Sequence, residues 1–302
     1  MLFTPIKPMM LTLKYDVFDD DKYLYEPKWD GWRILIHKQG NRIEAFTRSG
    51  RNVTAKFPEL TRVKDVIRAH TAIIDSEGVC IRDGRSIFDD FQYRGRISDR
   101  RRVAQATTTH PATFIAFDVL HDGQVRIDLP LFERKNILTD ILAPSDVLVP
   151  TTGVVGNGTA LKQETERLNW EGIVAKRLDS KYILDARTNL WVKFKNWREI
   201  DVVILGYRLD PHFGLIIGLN FPTVKNKRVG TVEWGFKPEE RKAFLGLAKQ
   251  LHTRLEKNVQ LIEPRLCCRV QYLERTELHY LRHVTFKGFA FNKLPDSCVW
   301  ES

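Results

Sequence analysis

The sequence predicts an α+β protein of two domains, because two patterns of secondary structure follow one another along its 302 residues. Strand-like and helix-like segments alternate as far as about residue 198. Beyond that point the segments are mostly β-prone, with a single amphipathic helix between them. The change of pattern predicts a first domain in residues 1–198 and a second in residues 199–302.

The first domain opens with hairpin and helix signals. Residues 32–38 and 42–47 are β-prone runs on either side of the turn at residues 39–41, so they predict a hairpin. A helix is expected from Pro58, with one apolar face made of Leu60, Val63 and Ile67. Further helices are expected at residues 131–142 and from Thr159, as the N-cap, to the residues before Glu171.

The second domain has the pattern of a small β-barrel. Strands are predicted at residues 202–207, 214–219, 229–236 and 267–273. Pro238 begins an amphipathic helix that carries Phe244, Leu247, Leu251 and Leu255. Strands with one interposed helix suit an OB-fold, although the pattern alone leaves an SH3-like barrel open.

Composition excludes a membrane-spanning or disulfide-stabilised protein. The chain is 43% hydrophobic and 28% charged, with no signal peptide and no apolar run that could span a bilayer, so we expect a cytoplasmic monomer. A formal net charge of +10 favours a polyanionic partner, because neutralised phosphates release counterions. No metal-site spacing relates the four cysteines, which we interpret as reduced thiols: Cys80, Cys267, Cys268 and Cys298.

The most informative segment is Glu26-Pro27-Lys28-Trp29-Asp30-Gly31-Trp32-Arg33. A nearby cation or a desolvated pocket can lower the pKa of a lysine and expose a nucleophilic amine. Pro27 fixes the backbone before Lys28, and Gly31 permits a turn after it. The segment therefore fits a nucleophilic lysine, but by itself it favours a solvated lysine at the end of a strand, and the other motifs of the chain decide between the two.

Five further motifs follow in order: Thr47-Arg48-Ser49-Gly50, Asp75-Ser76-Glu77-Gly78, Ala116-Phe117-Asp118-Val119, Glu171-Gly172-Ile173-Val174-Ala175-Lys176 and Trp191-Val192-Lys193-Phe194-Lys195. Together with the lysine segment they resemble the covalent nucleotidyltransferases, most closely the ATP-dependent DNA ligases and especially the ligase module of bacterial end-joining proteins. The resemblance runs from Pro8 to about Pro295.

This resemblance implies an adenylation domain of the nucleotidyltransferase, ATP-grasp-like type, with antiparallel sheets and helices, followed by an OB-fold barrel. It implies sealing of 5′-phosphate/3′-hydroxyl nicks in duplex DNA, with ATP and Mg²⁺, or Mn²⁺, as cofactors. Lys28 would attack the α-phosphate of ATP and hold AMP, which then passes to the 5′-phosphate. The resemblance also implies a hinge near residues 197–200.

The same resemblance implies roles for residues around Lys28. Glu77 and Glu171 would bind ribose hydroxyls or hold Mg²⁺, and Phe117 would stack on adenine while Glu26 helps to seat the purine. Cations suited to phosphate or ribose contacts are Arg33, Arg48, Arg187, Lys193 and Lys195. Each has a plain structural alternative, such as a solvated strand face for the alternating Lys193 and Lys195.

Two basic stretches are candidates for DNA backbone contacts. Arg94, Arg96 and Arg101 follow an apolar turn in the first domain, and a predicted hairpin tip in the second domain carries Lys225, Lys227 and Arg228. A charge run is usually a solvated face, so both assignments stay open.

The C-terminal segment departs from the family pattern. It has Ala290 and Asn292 where an arginine and an aspartate are usual in the segment that orients the pyrophosphate. We therefore expect slower self-adenylation, or reliance on the cations Arg282, Lys287 and Lys293. His279 and His283 are spaced as metal ligands on a helix, but no third ligand is evident and the spacing does not predict a site.

Three other functions fit parts of this pattern. An RNA ligase or an mRNA-capping guanylyltransferase would use the same lysine, and would be distinguished by sealing of RNA ends or by labelling with GTP. A nucleic-acid-binding protein with impaired self-adenylation would bind nicked DNA and form no adenylate.

Overall fold

The computed structural model describes residues 1–300 and separates the chain into two units, of which the second begins at Trp197. The unit before it covers Met1–Asn196 and contains two β-sheets with five short helices. Strand β12 of the second unit begins at Arg198, so most of the segment predicted as a hinge is strand. Among these 300 residues no helix is both long and apolar enough to span a membrane.

Eleven strands build the first unit: β1 (Met10–Leu13), β2 (Tyr23–Pro27), β3 (Trp32–Gln39), β4 (Arg42–Thr47), β5 (Thr71–Arg82), β6 (Arg85–Ser86), β7 (Ala112–His121), β8 (Leu148–Pro150), β9 (Val154–Val155), β10 (Gly172–Arg177) and β11 (Arg187–Lys195). One sheet has the order β1-β11-β10-β2-β9, and the other has the order β4-β3-β5-β7-β8 with β6 beside β5. The pairs β1–β11 and β7–β8 are parallel, so the expectation of purely antiparallel sheets is wrong at these two places.

The helices of the first unit are α1 (Val63–Val66), α2 (Phe88–Arg96), α3 (Arg100–Thr109), α4 (Leu131–Ile141) and α5 (Gly158–Arg167), with 3₁₀ turns at Thr54–Lys56 and Pro58–Arg62. The helix expected from Pro58 is a 3₁₀ turn that continues into α1, with its predicted apolar face buried. The N-cap of α5 is Asn157 rather than Thr159, because the Asn157 side chain accepts the Ala160 N–H.

Aromatic packing fills the core between the second sheet and the helices. Phe57 and Phe91 stack with ring centroids 4.9 Å apart, and Phe114 meets Phe57 edge-on at 5.7 Å. A separate cluster joins the two sheets through Met9, Leu35 and Trp191, all fully buried. The sheets are therefore held as one body, with the loop after β2 between them.

The second unit consists of β12 (Arg198–Arg208), β13 (Gly214–Leu219), β14 (Lys227–Val232), α6 (Pro238–Ala248), β15 (His252–Glu256), β16 (Val259–Ile262), β17 (Cys267–Tyr272) and β18 (Thr285–Phe289), with 3₁₀ turns at Lys249–Leu251 and Pro295–Ser297. The antiparallel order is β14-β13-β12-β16-β15, while β17 pairs with both β12 and β18. Strand β12 exchanges partners along its length, pairing with β17 over residues 198–203 and with β16 over residues 206–208.

Two expectations for the second unit are wrong. The strand predicted at residues 229–236 ends at Val232, because Gly235 adopts a φ of +96° and turns the chain. Leu255 belongs to strand β15 and is 68% exposed, so it does not extend the apolar face of α6. His279 and His283 lie in irregular chain with positive φ, which separates them from any helical ligand arrangement.

Candidate active site

The loop that carries Lys28 leaves strand β2 and is fixed by the neighbouring strand β10. The Lys28 N–H donates to the Gly172 carbonyl at 2.9 Å. Gly172 has a φ of +143°, and a Cβ there would lie 2.0 Å from the Phe194 carbonyl oxygen on β11. Only glycine fits this crossing of three strands, so the residue after Glu171 is fixed by backbone sterics.

A second close approach presses the loop against strand β5. A Cβ on Gly31 would lie 2.0 Å from the Gly78 carbonyl oxygen, so glycine is required here as well. Immediately afterwards β3 pairs with β5, which places Arg33 opposite Glu77. The Lys28 loop is thus held between Glu171 at one sheet and Glu77 at the other.

Two cations share the Glu171 carboxylate. The Lys28 Nζ lies 2.5 Å from Glu171 Oε2, and the Lys195 Nζ lies 3.1 Å from Glu171 Oε1. All three side chains are largely buried, which strengthens the charge interaction. Desolvation opposes the ammonium form, but the carboxylates of Glu171 and Glu77 outweigh it and raise the pKa of Lys28.

Glu77, the second carboxyl group beside Lys28, differs from Glu171 in its protonation state. Desolvation raises the pKa of Glu77 to about 8, despite the opposing charges of Lys28 and Arg33. At neutral pH Glu77 therefore keeps its proton, whereas Lys28 and Lys195 hold the pKa of Glu171 below its ordinary value in spite of desolvation. One carboxyl group is neutral and the other charged, a division that active sites use for separate roles.

Strand β11 presents a row of cations next to this pair. Val192 and Phe194 are buried, and the alternating Lys193 and Lys195 lie on the other face, in register with β10. Desolvation, reinforced by the charges of Lys28 and Lys195, lowers the pKa of Lys193 to about 8. Arg187, exposed at the start of β11, lies within electrostatic range of Lys193. Such a row suits the phosphates of a nucleotide.

Arg33 does not present an open guanidinium. Its Nε and Nη2 donate to the two oxygens of Asp75 at 2.9 and 2.6 Å, while Nη1 donates to the Met9 carbonyl. Tyr182 lies within hydrogen-bonding distance of both Arg33 and Asp75. Because most of its donors are engaged inside the protein, Arg33 joins β3 to β5 and braces the pocket rather than extending into it.

Glu26 and Phe117 belong to a buried charged cluster below the lysine loop. The two Glu26 oxygens accept from Lys135 at 2.6 Å and from Lys176 at 2.7 Å. The Lys176 Nζ also lies 4.2 Å from the centroid of the Phe117 ring. The cluster fixes the Phe117 ring and neutralises Glu26, so Glu26 has no free charge to offer a ligand.

Sequence reasoning missed several residues of this site. Lys135 lies on α4 with no local signal, and only its position in the fold brings it to Glu26. Lys176 ended one of the recognised motifs, but its role in that cluster was not predicted. Asp75 stood in one of the recognised motifs and Tyr182 in none of them, and their contact spans 107 residues of sequence.

The remaining predicted nucleotide contact, Arg48, lies apart from these ion pairs. Its side chain is exposed on the turn after β4, and its N–H donates to the Arg33 carbonyl at 3.2 Å. The turn is thereby fixed to the strand that follows the lysine loop, and the guanidinium is accessible from solvent.

The predicted DNA contacts divide into one that is ruled out and five that are accessible. Arg94 is fully buried, pairs with Glu59 at 2.6 Å and lies against the Phe57 ring, so it cannot reach a DNA phosphate. The expectation for Arg94 is wrong, because an amphipathic helix turns this one arginine inward. Side chains with access to solvent are Arg96, Arg101, Lys225, Lys227 and Arg228.

A family model described as the ATP-dependent DNA ligase domain matches residues 3–195. The multifunctional non-homologous end joining protein LigD of Mycolicibacterium smegmatis is 29% identical over 93% of this chain and 37% of its own length. The SPbeta prophage-derived DNA ligase-like protein LigB of Bacillus subtilis is 30% identical over 94% of this chain and 98% of its own length. This chain thus spans less than two fifths of that LigD relative and nearly the whole of LigB.

Solved structures of DNA ligases resemble this chain as well. The ligase domain of M. tuberculosis LigD superposes with a TM-score of 0.56 at 27% identity, and 98% of each chain is covered. A mycobacterial DNA ligase D complexed with ATP and MES gives 0.57 at 26% identity, also over 98% of each chain. A Lig E DNA ligase gives 0.63 at 17% identity over 94% of this chain, which shows the common fold.

Proposed function

Because the chain belongs to the family of ATP-dependent DNA ligases, we propose that it seals 5′-phosphate/3′-hydroxyl nicks in duplex DNA through a covalent Lys28–AMP intermediate. The observation that carries this proposal is the placement of the Lys28 amine 2.5 Å from Glu171, beside Glu77 and the cations of β11. A nucleophile, two carboxyl groups in different charge states and a phosphate-binding row are what a phosphoryl transfer through an enzyme adduct requires.

Lys28 must lose a proton before it attacks. Its amine is held in the ammonium form by the ion pair, so the resting site is protected against reaction with other electrophiles. Glu171, already in hydrogen-bond contact, is placed to accept that proton as the α-phosphate of ATP approaches. The Lys28 nitrogen then bonds to the α-phosphorus, and pyrophosphate leaves.

The cations of β11 would neutralise the negative charge on the transferring phosphate. Lys193, Lys195 and Arg187 would contact the phosphates, and Lys195 would keep its place through Glu171. Glu77, which retains its proton at neutral pH, suits a hydrogen bond to a ribose hydroxyl. Phe117, fixed by Lys176, would stack on the adenine.

Mg²⁺ fits the donor set of this site. Glu171 offers hard carboxylate oxygens, and Glu77 would offer a second set once a bound cation displaced its proton. Mg²⁺ bound with a nucleotide takes one or two carboxylates besides phosphate and water. Within residues 1–300 no group of three or more His, Cys, Asp and Glu side chains could hold a metal. When bound with ATP, the cation would supply neutralisation of phosphate charge.

We assign the first unit as the adenylation domain, with its boundary near residue 198, and the second as an OB-fold domain. The partner exchange along β12 and the single helix α6 between β14 and β15 support the second assignment, since a strand shared by two halves of a sheet is typical of a small barrel. DNA phosphates would contact Arg96, Arg101 and the β13–β14 hairpin tip with Lys225, Lys227 and Arg228, whereas Arg48 would contact the nucleotide.

In this proposal, the replacement of the family's arginine and aspartate by Ala290 and Asn292 affects the first chemical step, formation of Lys28–AMP. Ala290 packs against the core of the second unit, and Lys293 forms an ion pair with Asp201 at 3.6 Å. Neither supplies the free guanidinium that the family pattern has at position 290. We therefore infer slower self-adenylation, with sealing of preadenylated DNA less affected.

The proposal is tested with α-labelled ATP and GTP, Mg²⁺, and wild-type or Lys28→Ala protein, followed by addition of nicked duplex DNA. Label from ATP that requires Lys28 and is discharged on sealing supports the ligase. Preference for GTP would indicate a capping enzyme, and discharge only onto RNA ends would indicate an RNA ligase. Tight binding of nicked DNA without any label would indicate a binding protein instead.

A further inference from the structure

The second unit has an open groove of about 960 Å³ that the proposed ligation does not use. One wall is the turn between β12 and β13, with Leu209, Pro211 and Phe213. The other wall is α6 and the residues that precede it, from Glu233 to Lys249. The groove is therefore about as long as one short helix, roughly 18 Å.

Apolar side chains are exposed along this groove. The Trp234 indole is 71% exposed and Leu209 is 55% exposed. The backbone under the indole is nevertheless fixed: the Trp234 carbonyl accepts the Phe286 N–H at 2.8 Å, and a Cβ on Gly235 would lie 2.3 Å from the Phe286 carbonyl oxygen. A large apolar side chain held on rigid backbone in solvent marks an interaction site.

The floor of the groove is preformed. Phe236 stacks on Phe286 with centroids 4.4 Å apart and meets Phe213 edge-on at 5.0 Å. The Arg241 guanidinium lies 4.6 Å from the Phe213 ring centroid, which fixes one cation at the rim. Gly246 has no neighbouring atom within 4 Å of its Cβ position, so the helix surface there is open to a ligand.

Apart from Glu233, the charged side chains that line the groove are cations. Lys237, Arg241, Leu245 and Lys249 follow one another at intervals of four residues, and all four line the groove. Lys242 lies on the adjacent row of α6. The acidic side chain that also lines the groove, Glu233, is engaged by Arg208. The rim therefore attracts an anionic partner, with an apolar position between the cations.

We propose that this groove binds an acidic peptide segment in which an apolar side chain stands among Asp and Glu residues. The apolar side chain would pack against Trp234 and Leu209, and the carboxylates would pair with Lys237, Arg241, Lys242 and Lys249. A DNA duplex presents phosphates and sugars, but no large apolar side chain that could pack against Trp234 and Leu209.

Single-stranded DNA fits the groove less well than a peptide does. Its regular phosphates need a continuous row of cations, and Leu245 interrupts the row. Its bases would find an exposed aromatic partner in Trp234, but Phe213 is buried and Leu209 and Leu245 are aliphatic. The same two side chains favour the leucine, isoleucine or phenylalanine of a peptide.

The test is fluorescence anisotropy with a short labelled peptide of Asp and Glu around a central Phe-Leu pair, at low ionic strength. The full chain should bind it with a micromolar dissociation constant. Trp234→Ala and Lys242→Glu should each weaken binding about tenfold. Lys64→Glu, an equal change of charge at an exposed site of the first unit, should leave it within about twofold.

Thermal unfolding of each variant shows whether it is folded, and sealing of nicked DNA should be unchanged in Trp234→Ala. The proposal is overturned by absence of binding to the wild-type chain, or by equal binding of a peptide with Ser-Ser at its centre. It is also overturned if oligothymidylate displaces the peptide and Trp234→Ala weakens oligothymidylate binding more than peptide binding. That result would assign the groove to single-stranded DNA.

Discussion

Lys28 and Glu171, 143 residues apart in sequence, form a largely buried ion pair of 2.5 Å. The contact joins the loop after β2 to the residue before β10, and the Lys28 N–H to Gly172 hydrogen bond fixes both backbones. The nucleophile of the proposed reaction is thus positioned by a carboxylate that also holds it protonated.

This pairing predicts an unusual pH dependence for Glu171→Gln. Loss of the carboxylate lowers the pKa of Lys28. The Lys28 amine of the variant is therefore fully deprotonated at a lower pH, above which its rate stops rising while the wild-type rate continues to rise. The deficit in single-turnover Lys28–AMP formation should therefore widen as pH rises. Glu77→Gln is the matched comparison and should change the slope less, since Glu77 raises the pKa of Lys28 less than Glu171 does and the ion pair stays intact. A deficit in Glu171→Gln that is constant with pH would contradict the role assigned to the pair.

His37 predicts a loss of stability in mild acid. Its side chain is fully buried, its Nδ1 accepts the Phe3 N–H at 2.9 Å, and desolvation lowers its pKa from 6.5 to about 4. Below pH 6.5 this histidine is protonated in the unfolded chain but stays neutral in the folded chain. The free energy of unfolding therefore falls as the pH is lowered from 6.5 to about 4. The total loss is about 3 kcal/mol by the usual conversion of a pKa difference. Urea unfolding of wild type and His37→Gln across this range measures it, and parallel curves would refute the assignment.

Arg94 and Arg96 should behave oppositely although they lie two residues apart. Arg94→Ala leaves Glu59 without its buried partner and should lower the free energy of unfolding by about 3–5 kcal/mol. Arg96→Ala, at an exposed position, should change it by less than about 0.5 kcal/mol. Denaturant unfolding decides between them. Equal effects on stability would show that the burial of Arg94 is not what distinguishes the pair.

The β13–β14 hairpin tip, from Lys225 to the first residues of β14, predicts a change in the salt dependence of DNA binding. Lys227→Ala and Arg228→Ala should each weaken binding to nicked duplex and reduce the slope of log K against log salt by about 1. Lys257→Ala, on the turn between β15 and β16, is the control and should retain the wild-type slope. If all three variants keep that slope, DNA phosphates do not contact this turn.

Ala290→Arg tests the C-terminal departure. Ala290 lies beside a small cavity of about 90 Å³ that Leu247 and Phe291 also line, and the Arg side chain can leave it for solvent. We expect faster formation of Lys28–AMP in this variant and an unchanged rate of sealing on preadenylated DNA. Ala290→Gln is the control for side-chain size without charge. A wild-type rate of adenylation equal to that of Ala290→Arg would remove the reason to call the departure functional.

Local pattern predicted much of the fold but not its exceptions. The hairpin β3–β4, helix α4 and the strands β12 and β13 lie where apolar periodicity and turn residues place them. The position of Leu255 was wrong because a four-residue spacing continues past the point where the helix ends at Ala248. The parallel pair β1–β11 joins segments 177 residues apart, and no local signal encodes such a pairing.

The sequence by itself predicted which residues carry chemistry, because motif spacing places Lys28, Glu77, Glu171, Lys193 and Lys195 in the order of one family. It also predicted a turn at Gly31, whereas the structure shows that a side chain at Gly31 or Gly172 would strike neighbouring backbone. Only the tertiary structure decided which charged side chains remain free to contact a ligand. Arg33 is engaged by Asp75, Glu26 by Lys135 and Lys176, and Arg94 by Glu59, since a buried charge must find a partner and the fold alone determines which one lies within reach.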